Sequence, residues 1–121
     1  TSNKTEILLG YFTKYGDGAV DIEVIGDLFK TEVKELAKFL GISEKIINKV
    51  PTAELYHGQT DEKELGVSYD KLDTILRLYI EEKNSINTII KKGFNKKIVE
   101  NIIERIKLNE HKRTMPMVLK V

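Results

Sequence analysis

The feature that most constrains this chain is a run of apolar residues near its end that recurs at the spacing of one helix face. In an α-helix, residues three and four positions apart lie on the same side. Asn95 stands just before the run, where its side chain can accept a hydrogen bond from the first helical turn. The pattern predicts a helix over residues 96–109, and its inward-facing residues are Ile98, Val99, Ile102, Ile103 and Ile106.

Comparable patterns, each with cap or stop residues, predict five more helices. Asn3 and Glu6 have the spacing of a capping box at the start of the first one. The apolar face of this first helix holds Ile7, Leu8, Tyr11 and Phe12. The helix predicted over 28–40 has Val33, Leu36, Ala37 and Leu40 on its apolar face, and the helix predicted over 69–82 has Leu72, Ile75, Leu76 and Tyr79. The predicted helices cover 3–13, 28–40, a short stretch from Ser43 that ends before Pro51, 69–82 after Ser68, and 86–92 between Asn84 or Ser85 and Gly93.

Three other stretches lack a helical pattern. Residues 19–26 alternate apolar and acidic side chains, which is typical of an extended segment or short strand. Residues 51–67 form a long polar run with two glycines, and loops of this length are often functional. The short apolar run after Pro116 is compatible with an extended edge segment. The chain is therefore predicted to be mostly α-helical, with little sheet of its own.

The overall composition excludes several classes of function. The chain has 121 residues, enough for one small domain, and a formal net charge of +1. Binding to nucleic acid or a membrane surface through net charge is therefore not indicated. No apolar run approaches the roughly 18 residues of a membrane span. The sequence has no cysteine, which excludes disulfides and suits a cytoplasmic protein.

Polar residues gather around the start of the first helix and around the glycine turn that follows it. These stretches are 1–6 and 14–21. A helix N-terminus presents free N–H groups to anions, and a carboxylate can hold Mg²⁺ that is bound to phosphate oxygens. The residues are thus candidates for a phosphate and metal site. From these residues alone, a capped surface helix followed by an ordinary turn is the simpler interpretation.

A set of short motifs, in order and at matching spacing, resembles the second half of the ammonia-dependent NAD synthetase family. The resemblance extends over essentially the whole chain. Its motifs are the string from Thr1 through Asp21, Gly26-Asp27-Leu28-Phe29-Lys30-Thr31, Pro51-Thr52-Ala53, Gln59-Thr60-Asp61-Glu62, Leu65-Gly66-Val67-Ser68-Tyr69 and His111-Lys112-Arg113.

The resemblance implies an α/β parent fold, a doubly wound and mainly parallel sheet with flanking helices. It implies that ATP and Mg²⁺ are used to adenylate deamido-NAD, and that ammonia then displaces AMP. A homodimer is also implied. The family's Ser-Gly-Gly-x-Asp-Ser phosphate loop does not occur in this sequence. We therefore expect residues 1–121 to be the C-terminal part of one synthetase domain, and this part alone to be inactive.

The resemblance also implies roles for individual residues. Glu6 matches the family's Mg²⁺-binding carboxylate. ATP contacts are implied for Thr1, Lys30 and Thr52, and deamido-NAD contacts for Lys14, Asp21, His111 and Lys112, with the rings of Tyr11 and Phe12 beside its pyridine ring.

Three alternatives remain open at this stage. The chain is also compatible with the second half of a related ATP-pyrophosphatase amidotransferase, such as a GMP synthetase. Residues 85–107 have a helix–turn–helix pattern with lysines around Gly93, although Glu100 and Glu104 disfavour nucleic acid. A helical interaction domain without catalysis is the third alternative.

Overall fold

The polypeptide is described for residues 2–52 and 56–121 by a computed structural model. Within these residues it contains helices and no β-strand. The helices are α1 (Lys4–Leu9), α2 (Lys30–Phe39), α3 (Glu44–Ile47), α4 (Asp61–Leu65), α5 (Tyr69–Leu76), α6 (Ile86–Lys91) and α7 (Lys96–Leu108), with a π-helical turn at Arg77–Glu81 and a 3-10 helix at Glu110–Arg113.

The core lies where α1, α5 and α7 meet, with α6 packed on α7 and α2 on α5. The inward face predicted for α7 is confirmed, because Val99, Ile102, Ile103 and Ile106 are buried and Ile98 is partly buried. The predicted face of α5 is confirmed in the same way. Because these helices bury apolar side chains from several directions, they provide the rigid base on which α1 is held.

Local capping signals were reliable guides to helix starts. The capping box of α1 is present, because the Asn3 side chain accepts from the Glu6 backbone N–H and the Glu6 carboxylate accepts from the Asn3 backbone N–H. Asn95 caps α7 and Ser85 caps α6 as predicted. Ser68 occupies the predicted N-cap position of α5, but its side chain makes no capping hydrogen bond. The Glu62 carboxylate accepts from the Tyr69 N–H instead, so α4 caps α5.

At several places the local structure differs in detail from the prediction. Residues 19–26 form no strand, because Ile22 and Val24 face solvent and no described strand pairs with them. The polar run 51–67 contains α4. The helix predicted over 69–82 widens into the π-helical turn for its last five residues. The residues after Arg113 are exposed and irregular rather than part of a sheet edge.

The apolar stripe of α2 is exposed where the sequence pattern predicted burial. No residue of α2 is fully buried, and Leu36 and Leu40 are 38% and 64% exposed. Phe39 and Ile46 are exposed beside them. A hydrogen bond from Thr31 to Asp73 joins the start of α2 to α5, while Val33 and Ala37 on the same helix border an open groove. No helix in the described part of the chain is long and apolar enough to cross a membrane.

Candidate functional site

A groove of about 440 Å³ opens between the start of α2, α3 and α1, and four of the predicted site residues line it. Glu6, Lys30 and Thr52 line it, although they are far apart in sequence. Tyr11, the fourth predicted site residue, also lines it, together with Asp61. The structure therefore brings together the residues for which ATP and Mg²⁺ contacts were predicted, with the exception of Thr1, which lies outside the described residues.

Glu6 and Lys30 form an ion pair at the wall of this groove. The Lys30 Nζ lies 3.1 Å from the Glu6 Oε1, and the two side chains are 23% and 17% exposed. The Nζ also lies 5.4 Å from the centroid of the Tyr69 ring. A cation held by one carboxylate and one ring at a groove wall is well placed to meet an anion that enters.

The start of α2 is fixed by a buried carboxylate on α5. Asp73 accepts from the Thr5 hydroxyl at 2.6 Å and from the Thr31 backbone N–H at 2.9 Å. The Thr5 hydroxyl in turn accepts from the Lys30 backbone N–H. Burial raises the pKa of the Asp73 carboxyl, and the hydrogen bonds from Thr5 and Thr31 oppose that effect. This network sets the position of the Lys30 backbone relative to α1.

A second cavity, a cleft of about 590 Å³, lies on the other side of Tyr11. Tyr11, Phe12 and Lys112 line it, and all three had been predicted to contact deamido-NAD. The remaining lining residues with functional side chains are Thr13, Asp17, Tyr56, Gln59, Glu64 and Arg105. Aromatic rings beside lysine and arginine are chemically suited to a flat ring that carries anionic groups.

The hydroxyl of Tyr11 is held between two carboxylates on α4. It donates to Glu64 at 2.5 Å and lies 3.2 Å from Asp61, which also accepts from the Tyr69 hydroxyl at 2.9 Å. Burial, together with the Glu64 carboxylate, raises the pKa of Tyr11 far above its usual range. Tyr11 therefore remains neutral, and its ring forms a fixed wall between the groove and the cleft.

Comparison with known proteins decides the family. The sequence profile of the NAD synthase family matches residues 1–116. The chain belongs to the NAD synthase family. It is similar to the NH(3)-dependent NAD(+) synthetase of Methanococcoides burtonii, with 50% identity over 98% of this chain and 45% of the relative. The synthetase of the same name from Methanosarcina acetivorans is 54% identical over 98% of this chain and 46% of the relative.

A solved structure has the same fold as this chain. The structure of NMN synthetase from Francisella tularensis superposes with a TM-score of 0.80 at 35% identity, and it covers 100% of this chain and 45% of that chain. The chain thus spans a little under half the length of the NAD synthases that it matches. Membership of this family removes the grounds for the nucleic-acid alternative.

The other predicted deamido-NAD contacts lie outside both cavities. The Lys14 Nζ donates to the backbone carbonyls of His111 and Thr114. The imidazole of His111 is exposed, and its Nδ1 lies 3.0 Å from the Leu108 carbonyl. Asp21 is exposed and lines neither the groove nor the cleft. The chain described here does not bring Lys14, Asp21 and His111 together with the aromatic pair.

Several site residues were not identified from the sequence. Asp61 and Glu64 were part of a polar run, and their spacing of three was the signal that they share one face of a helix. Asp73 lies in the helix predicted over 69–82, and the apolar spacing that predicted this helix gave no role to its carboxylate. Arg105, which faces the Tyr11 ring at 5.6 Å, carried no sequence signal.

The groove suits a magnesium ion that is held mainly by phosphate oxygens. Within residues 2–52 and 56–121, no group of three or more acidic, histidine or cysteine side chains could hold a metal. Glu6 could offer a metal one carboxylate oxygen. That oxygen accepts a hydrogen bond from Lys30, while the other oxygen of Glu6 caps α1. Mg²⁺ characteristically takes one or two carboxylates and completes its shell with water and substrate phosphates. Glu6 fits that role as a single ligand.

Proposed function

We propose that this chain forms the C-terminal part of an ammonia-dependent NAD synthetase and supplies one side of its active site. Identities of 50% and 54% to synthetases of that name, over nearly the whole chain, carry this proposal. The reaction is the ATP-dependent amidation of deamido-NAD. The nicotinate carboxylate displaces pyrophosphate from ATP to form an acyl adenylate, and ammonia then displaces AMP and loses a proton to give the amide.

Under this proposal the groove binds ATP. Attack of a carboxylate on a phosphate brings several negative charges together, so catalysis depends on positioning and charge neutralisation. Lys30 would leave Glu6 and pair with phosphate oxygens, and Thr52 would contact ATP from the opposite wall. Glu6 would hold Mg²⁺, which neutralises phosphate charge when it is bound. Thr1 would add a further ATP contact.

The cleft would then bind the nicotinate end of deamido-NAD. Tyr11 and Phe12 offer ring faces, and Lys112 offers a cation at the same cleft. Lys14, Asp21 and His111 would act farther along the dinucleotide, at the outer surface next to the cleft. Because Tyr11 separates the cleft from the groove, the carboxylate would meet the α-phosphate of ATP beside that ring.

The remainder of the active site would come from outside these 121 residues. We propose that the complete enzyme has a doubly wound α/β fold, that a phosphate loop in its other half grips pyrophosphate, and that it acts as a homodimer. The exposed apolar side chains of Leu36, Phe39, Leu40 and Ile46 support this proposal, because apolar faces of this kind pack against a sheet or a second subunit.

The proposal is tested with the full-length protein, ATP, Mg²⁺ and deamido-NAD. Exchange of labelled pyrophosphate into ATP without ammonia reports adenylation, and NAD formation with ammonia reports the whole reaction. We expect Lys30→Ala to reduce the exchange rate by about 10²-fold or more, because a phosphate-neutralising cation is lost. Lys38→Ala is the matched control, since Lys38 is an exposed lysine on the same helix that does not line the groove. Equal exchange in the two variants would remove Lys30 from the mechanism.

A second candidate is synthesis of NMN by amidation of the corresponding mononucleotide. The 35% identity to the Francisella tularensis NMN synthetase supports it. The two candidates use the same chemistry and differ only in whether the substrate carries the adenylate half. Measuring kcat/KM for nicotinate mononucleotide and for deamido-NAD in parallel distinguishes them. We expect deamido-NAD to be preferred, because identity to the NAD synthetases is higher.

A further inference from the structure

Three cations join the C-terminal end of α1 to the 3-10 helix that follows α7. Lys112 donates to the carbonyls of Gly10 and Phe12 at 2.7 and 2.8 Å. Arg113 donates from Nη1 to the Leu8 carbonyl at 2.7 Å and from Nη2 to the Ile106 carbonyl at 2.8 Å. Lys14, which follows α1, donates to the carbonyls of His111 and Thr114 in the tail, the residues after α7. We call these three side chains and their carbonyl partners the tail clamp.

Arg113 is the member of the tail clamp that connects two helices. The last carbonyls of a helix have no partner within the helix, and they form the negative end of its dipole. One guanidinium nitrogen satisfies such a carbonyl at the end of α1, while the other nitrogen contacts the carbonyl of Ile106 in α7. Because the guanidinium is planar and donates from two nitrogens, it fixes both the distance and the orientation between α1 and α7.

The segment that directly follows this contact carries the aromatic pair of the cleft. Only Leu9 and Gly10 separate the Leu8 carbonyl from Tyr11 and Phe12. Gly10 reverses the chain with a φ of 64°, so the direction in which α1 ends decides where the two rings lie. Arg113 itself lines neither the groove nor the cleft. It can influence a ligand in the cleft only through the position of this segment.

We propose that Arg113 is a positioning residue for the cleft: by holding the end of α1 against α7, it sets the positions of the Tyr11 and Phe12 rings that bind the nicotinate end of the substrate. This inference rests on the function proposed above. Lys112 is different, because it faces the cleft and contacts the carbonyls at the same time. A substitution of Arg113 therefore tests positioning alone, whereas a substitution of Lys112 would also remove a side chain that lines the cleft.

Positioning predicts a larger effect on deamido-NAD than on ATP, because Phe12 lines only the cleft, whereas Tyr11 lines both cavities. The ATP groove depends on the other end of α1 and on α2, where Asp73 and Thr5 hold the backbone of Lys30 independently of the tail. Loss of Arg113 should therefore weaken binding of deamido-NAD more than binding of ATP. A residue that only stabilises the fold would lower the melting temperature and leave both KM values unchanged, or would change them equally.

The test compares Arg113→Ala, Arg113→Lys and the control Lys107→Ala in the full-length protein. Lys107 is an exposed cation on α7 outside the tail clamp. We expect Arg113→Ala to raise the KM for deamido-NAD about tenfold with less than about a twofold change in the KM for ATP, since small misplacements of binding groups cost this much or more. Arg113→Lys, which can reach only one carbonyl at a time, should show a smaller effect of the same kind. Lys107→Ala should match the wild type.

Hydrogen exchange provides a readout that does not need the reaction. In Arg113→Ala, amides of residues 7–14 should exchange faster, while those of α5 and α7 keep their protection. Equal changes in the two KM values, or exchange that is unchanged or faster throughout the protein, would overturn the positioning role. If the wild type makes no NAD, the proposed function fails, and the exchange pattern alone then decides whether Arg113 holds this segment.

Discussion

The two ends of α1 serve the two cavities, and they are held in different ways. The N-terminal end borders the groove proposed to bind ATP, and its capping box is made by residues three positions apart. The Thr5–Asp73 hydrogen bond connects that end to the buried face of α5. The C-terminal end borders the cleft and is held by cations about a hundred positions away. The N-terminal end is thus joined to the core, whereas the C-terminal end is joined to residues 112 and 113.

The largest effect is expected from Gly10→Ala, at the C-terminal end. A Cβ at this position would lie 2.3 Å from the Asn109 Cβ, and φ is 64°. The left-handed conformation and the overlap together should lower the free energy of unfolding by about 3 kcal/mol. Urea unfolding of the protein measures this loss. The overlap also pushes Asn109 and the tail away from α1, so exchange at residues 7–14 should increase.

Gly66→Ala is the matched control for this prediction. Gly66 also ends a helix, with a φ of 72°, but no atom lies within 4 Å of the position that its Cβ would occupy. Only the backbone cost remains there, about 1 kcal/mol. If Gly10→Ala were no more destabilising than Gly66→Ala, close approach of the tail to α1 would not contribute to stability.

At the N-terminal end, the next largest effect is expected from Asp73→Ala. The substitution leaves the buried Thr5 hydroxyl and the Thr31 N–H without their acceptor. Loss of these bonds should lower the free energy of unfolding by about 2–3 kcal/mol. Asp73→Asn keeps one acceptor oxygen and should cost less. Because this network positions Lys30, both variants should raise the KM for ATP more than that for deamido-NAD, the reverse of the result expected for Arg113→Ala.

The carboxyl of Asp73 also makes the free energy of unfolding depend on pH. Since burial raises the folded pKa of Asp73 above its ordinary value of 3.8, folding favours the protonated form. The stability that this group contributes is greatest below the ordinary pKa and falls as pH rises through the folded pKa. The difference in unfolding free energy between wild type and Asp73→Asn should therefore shrink with rising pH over that interval. A difference that grows with pH would show that the carboxylate is stabilised rather than strained by its surroundings.

This contrast also explains what the sequence could and could not predict. Helix starts and the α7 face were predictable because Asn3, Asn95 and the isoleucine spacing act within a few residues of one another. The groove residues Glu6, Lys30 and Thr52 were identified through a family resemblance, and their proximity became visible only in the fold. The tail clamp was not predictable, because a lysine or arginine that donates to a distant carbonyl carries no local pattern. For the same reason, the exposure of Leu36 and Leu40 could not be predicted, since burial depends on which partner covers a helix.

The smallest effect concerns the hydroxyl of Tyr11, a residue that lines both cavities. Its hydrogen bond is the main reason that the pKa of Glu64 lies below its ordinary value, and the Tyr56 hydroxyl is the second. Tyr11→Phe should therefore raise the pKa of Glu64, and Tyr56→Phe should raise it less. Carbon-13 NMR titration of the Glu64 carboxyl measures both changes.

The sign of the accompanying stability effect follows from the same bond. A lowered folded pKa means that Glu64 stabilises the fold above its ordinary pKa, and this contribution is lost as pH falls through the folded value. Tyr11→Phe should remove the largest single part of this acid dependence while the ring remains against Arg105. If Tyr56→Phe had the larger effect, Glu64 would belong to the loop side of the cleft rather than to the wall that Tyr11 forms. The wall would then depend on Asp61 and the ring contact alone, and the position of Tyr11 would be set mainly from the tail.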